Sequence, residues 1–149
     1  MKRSLVLIVL LWGCRDSQSG GKHQMQGPPH GGTPVAVGKH KYHLELVRDA
    51  EAGRMQAYVL DAHFEKFIAV PETNFTLLAK VGGREERLDF SRMPATPPSA
   101  DGSSYLFESR AEWIKNATNF EGLIPTITFK GRTYTNIVFP FPEGAAEPH

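Results

Sequence analysis

From Thr33 onward, apolar residues recur at every second position in short runs, and glycine, proline, aspartate or asparagine separates one run from the next. Side chains along a strand point alternately to opposite faces, so this pattern predicts half-buried β-strands. Residues 41–48 are the clearest case: Tyr42, Leu44 and Leu46 fall on one face, His43 and Glu45 on the other. Residues 49–53 read as a turn, and 54–60 return with Met55, Ala57 and Val59 on one face. Further strands are predicted at 67–70, 74–81, 84–90, 105–108, 123–130 and 132–141, with Gly82-Gly83 as a two-residue hairpin loop between the fourth and fifth.

Seven or eight strands with little helix predict an all-β domain, specifically an antiparallel two-sheet sandwich of immunoglobulin-like type. The cysteine pair that defines many immunoglobulin domains is absent. Residues 94–99 are proline-rich and interrupt the sheet. One short helix is predicted at 110–116, where Ser109 and Glu112 have the spacing of a capping box and Trp113 would face the core.

The N-terminus has a different texture. Lys2 and Arg3 precede the apolar run 5–12, then Gly13 and Cys14, the chain's single cysteine. Eight apolar residues make about 12 Å of helix, short of the ~30 Å hydrocarbon core, so a permanent span is disfavoured. The run reads as a signal peptide cleaved before Cys14, whose thiol would then carry lipid. Leu11-Trp12-Gly13-Cys14 resembles a bacterial lipobox, with Trp12 bulkier than the pattern's usual residue. Residues 15–32 lack a periodic apolar set and are crowded with glycine, proline and polar residues, which predicts a flexible tether. The expected organisation is a signal peptide over 1–13, a lipid-anchored linker over 14–32, the β-domain over 33–142 and a disordered tail over 143–149.

The whole chain carries 17 basic and 16 acidic residues. Loss of residues 1–13 removes two of the basic ones, Lys2 and Arg3, and leaves the exported part nearly neutral. Nucleic-acid binding needs a basic surplus for phosphate neutralisation, so that partner class is excluded. With Cys14 consumed, stability must come from a hydrophobic core and not from an intramolecular disulfide.

Candidate chemistry lies in the linker. His23, Met25 and His30 combine two imidazoles with a thioether, donors that suit copper or zinc, and Gly31-Gly32 would let the backbone fold tightly beside an ion. His40 and His43 are three apart on a strand, hence on opposite faces, and are not expected to chelate one ion together. His43 and Glu45 share a face and read as a solvated pair, while His63 reads as part of a turn. Catalytic signatures are missing: no Gly-x-Ser-x-Gly elbow, no phosphate-cradling glycine loop and no His-Glu-x-x-His pair occurs. Asp61 with Glu65, and Glu85 with Glu86, read as solvated surface carboxylates.

The run 30–35, then 38–47, then 58–63 resembles a group of small bacterial lipoproteins, a likeness that extends to Phe141. Residues 30–61 are also similar to the N-terminal region of periplasmic adaptor subunits of heavy-metal efflux pumps. That second resemblance implies a metal-associated role for His30 and for His23, but the chain lacks an adaptor's long coiled-coil hairpin and so could not bridge a pump. The expectation is therefore a non-enzymatic periplasmic lipoprotein that binds or passes on copper or zinc. The alternative is a structural or protein-interaction module of the cell envelope with an envelope protein as partner. Arg15 after the cysteine, in place of aspartate, favours the outer membrane under enteric-type sorting.

Overall fold

The computed structural model describes residues 27–39 and 41–145. Eight strands follow one another: β1 (Thr33–Val37), β2 (Tyr42–Asp49), β3 (Arg54–Asp61), β4 (Asn74–Val81), β5 (Arg84–Met93), β6 (Leu106–Arg110), β7 (Phe120–Phe129) and β8 (Arg132–Phe141). The all-β expectation holds. All eight lie in a single sheet of order β1-β2-β3-β6-β5-β4-β7-β8, and every neighbouring pair is antiparallel.

The sheet curls until its two ends almost meet. Ala145, just beyond β8, forms a parallel bridge with Val35; the Ala36 N–H donates to the Ala145 carbonyl at 3.0 Å and the Ala145 N–H to the Pro34 carbonyl at 3.1 Å. The Thr33 hydroxyl adds a bond to the Pro142 carbonyl at 2.8 Å. The result is a nearly closed barrel. The division into two sheets expected from the sequence is not seen, because β6 pairs with both β3 and β5 and joins the halves into one ladder system. Alternation specifies which face of a strand is buried but is silent on which strands are neighbours.

The inward residues fill the interior. Leu44 and Leu46 of β2, Met55, Ala57 and Val59 of β3, Leu77 of β4, Phe90 of β5, Phe107 of β6 and Phe129 of β7 are all buried to within a few per cent. Phe75 and Phe90 stack with centroids 4.6 Å apart, and Phe107 meets Phe75 edge-on at 5.4 Å. Gly82 and Gly83 both adopt positive φ, 55° and 79°, which a two-residue loop of type I′ requires and which glycine adopts without penalty.

Three local expectations are corrected. β1 is an additional strand, which at five residues, with Pro34 inside it and Gly38 directly after it, does not stand out in the pattern. Residues 67–70 form isolated bridges, Phe67 to Leu60 and Val70 to Ser104, and no strand. The helix at 110–116 is a single 3₁₀ turn, Glu112–Lys115. Its N-cap is Ala111, in extended conformation and without a side-chain cap, because β6 runs on through Ser109 and Arg110 and buries Ser109 in the sheet. The turn is held from its other end, where the Arg48 guanidinium of β2 donates to the carbonyls of Ile114 and Lys115, both at 2.8 Å. Ile114 is the residue buried in the core, while Trp113 is half-buried and meets Phe120 edge-on.

Candidate functional site

Glu45 points outward from β2, between Pro34 on β1 and Tyr58 on β3, yet its side chain has no exposure at all. Residues 28–32 cover it. Pro28–Gly31 make a turn closed by the Gly31 N–H donating to the Pro28 carbonyl at 3.0 Å, and this turn lays the backbone over the carboxylate. Glu45 Oε1 then accepts from the His30 N–H at 2.7 Å and the Gly32 N–H at 3.0 Å, while Oε2 meets His30 Nδ1 at 2.8 Å. An ionised carboxylate survives burial when several donors replace its water, and three converge here. Gly32 makes the close approach possible: a Cβ at that position would lie 2.6 Å from the Leu46 carbonyl oxygen. The last residues of the expected linker are thus in contact with the barrel as a strap.

The pairing orients the imidazole. A carboxylate opposite Nδ1 favours the tautomer with the proton on that nitrogen, which in a neutral ring puts the acceptor lone pair on Nε2. His30 retains 38% side-chain exposure.

The His30 ring stacks on Tyr58 of β3 at 4.1 Å and 23°. Phe67 stacks on Tyr105 at 4.7 Å and 24°, and its centroid lies 5.9 Å from both His30 and Tyr58. Two stacked pairs therefore stand side by side, with His30 and Phe67 as the outer rings. Phe67 is 42% exposed, one of two large hydrophobic residues so exposed among the described residues, the other being Val138. The Tyr58 hydroxyl donates to Gln56 Oε1 at 3.2 Å, and Gln56 reaches Glu108 at 3.4 Å. Burial pushes the Tyr58 phenol up from its ordinary pKa, and the negative charge of Glu45 adds to the effect. Beyond Glu108 the charges pair among themselves: Arg110 with Glu108 at 2.9 Å, and Arg54 with Asp49 at 2.8 Å.

Of the sequence-predicted ligands, His30 is held on this face, while His23 and Met25 fall outside the described residues, as do Cys14, His40 and His149. Among the described residues no three His, Cys, Asp or Glu side chains are grouped as a metal site. His43 and Glu45 are not the solvated pair expected: both are buried, His43 with its ring 4.3 Å from that of Phe64 and Glu45 beneath the strap. His63 does lie in a turn, but the capping group is Asp61, whose carboxylate accepts from the N–H groups of His63 at 3.2 Å and Glu65 at 2.8 Å.

Sequence reasoning missed Glu45 as the anchor of the strap and missed the rings of Tyr58, Phe67 and Tyr105. One signal was available for Tyr58, an aromatic residue at a position that shares the outward face with Arg54 and Gln56. No protein-family model, curated protein or solved structure matches the chain.

Proposed function

We propose that the chain is a non-enzymatic lipoprotein of the bacterial cell envelope, anchored through Cys14 in the outer membrane, which captures a transition metal, copper or zinc, at His30 together with His23 and Met25. The observation that carries this reading is the pair of Glu45 Oε2 and His30 Nδ1 at 2.8 Å. A histidine that ligates a metal through one ring nitrogen characteristically gives the other to a carboxylate, which fixes the tautomer and raises ligand basicity. Here the carboxylate is fully buried while the ring is partly exposed, so the imidazole can be reached from outside the barrel. The resemblance of residues 30–61 to heavy-metal efflux adaptors supports the same reading.

Calorimetric titration of the lipid-free protein, residues 15–149, with Cu(I), Cu(II) and Zn(II) tests it. Binding should be at least tenfold weaker in Glu45→Gln, because the amide donates to Nδ1 and moves the ring proton to Nε2, where it blocks coordination. Binding should be lost in His23→Ala with His30→Ala. Affinity no tighter than millimolar, or indifferent to these substitutions, refutes metal capture.

A second reading, a structural or protein-interaction module of the envelope, is favoured by the ring face itself. Isolated domains seldom leave clustered aromatic surface uncovered without a use for it.

A further inference from the structure

We infer that the face formed by His30, Tyr58, Phe67 and Tyr105 rests on a lipid bilayer, so that the barrel lies against the membrane in one orientation. The inference takes from the proposed function only the lipid on Cys14, and is independent of metal.

Three observations support it. The chain leading from the anchor joins the fold on this very face: His30 is sixteen residues after Cys14, and its ring is one of the two outermost in the cluster. The Glu45 bonds to the backbone of His30 and Gly32 keep that point of entry from swinging to another side of the barrel. The face is therefore the part of the described fold nearest to Cys14 along the chain. Its residues are also of the type that suits the membrane–water interface, rings with an apolar body and, in the two tyrosines and the histidine, a polar group that can stay wet. Finally, Arg54 and Arg110 are already paired with Asp49 and Glu108, so neither guanidinium is left over to recognise an ionic partner.

Contact of this kind is shallow and weak in free solution. A tether raises its effective concentration to the point where weak contact is occupied most of the time. The attraction is apolar, and salt should affect it little.

The test uses the full chain, expressed with its own signal and reconstituted in vesicles of phosphatidylethanolamine and phosphatidylglycerol. Trp113→Phe removes the tryptophan of the barrel, and Phe67→Trp places a fluorescent reporter on the face. Incorporation of labelled palmitate, compared with Cys14→Ser, reports lipidation separately. In lipidated protein, emission from the reporter indole should shift to the blue and be quenched by brominated acyl chains, at low and at high salt alike. Palmitate incorporation with emission unmoved by the brominated lipid overturns the inference alone. Absence of palmitate overturns it together with the anchoring on which it rests. A shift that appears only when envelope protein or peptidoglycan is added also overturns it, in favour of a macromolecular partner.

Discussion

Phe90→Ala will lower the melting temperature by roughly 6–20 °C. Phe90 has no exposure, stacks on Phe75 at 4.6 Å and lies in the same aromatic group as Phe107. Its truncation removes the transfer energy of a whole ring and leaves a cavity that strands paired on both sides cannot collapse to fill; such changes cost about 3–5 kcal/mol. In a chain of this size each kcal/mol corresponds to about 2–4 °C. Thermal unfolding followed by circular dichroism measures the effect, and a shift of only a degree or two would mean that the interior is much looser than its burial indicates. Phe90→Leu, which refills most of the volume, should recover more than half the loss.

Glu45→Ala should have the second largest effect, of a different kind. It removes the acceptor for the N–H groups of His30 and Gly32 and for the His30 ring. Leaving buried donors without partners costs about 1–3 kcal/mol each, but a strap can peel away and let water replace the carboxylate. The result should be local: the His30 and Gly32 amides lose their hydrogen-exchange protection while the ladder amides of β2 and β3 keep theirs. Glu45→Gln retains an acceptor for both backbone groups and should retain protection. Equal protection at His30 and Gly32 in Glu45→Ala and wild type would show that the strap is held by something other than this carboxylate.

These two residues mark what could be read from the sequence and what could not. Phe90 follows the alternation of its strand, and so do Leu44, Leu46, Met55 and Phe139; each is buried. Period-two patterning records burial on a sheet, and the strand content was legible for that reason. Glu45 obeys the same pattern, in that it points away from the barrel interior, yet it is the most deeply covered acid in the described chain. What covers it comes from 13 to 15 residues upstream, in a glycine- and proline-rich stretch with no periodicity. Local patterning carries no information about a carboxylate that recruits backbone donors from a segment without regular structure. The closure of the sheet was equally hidden, since the pairing of Ala145 with Val35 depends on the accumulated twist of all eight strands.

That closure bears on how the fold forms and comes apart. Val35 and Ala145 are separated by nearly the entire described chain, so bringing them together carries the largest loop-closure entropy of any contact in the sheet. The zipper there is only a few hydrogen bonds long, against eight or more paired positions in the longer ladders. A junction so costly to close and so lightly fastened is the last to form and the first to give way. In this molecule it runs along β1, the strand that directly follows the strap, so tension arriving through the proposed N-terminal anchor would be felt first along this seam.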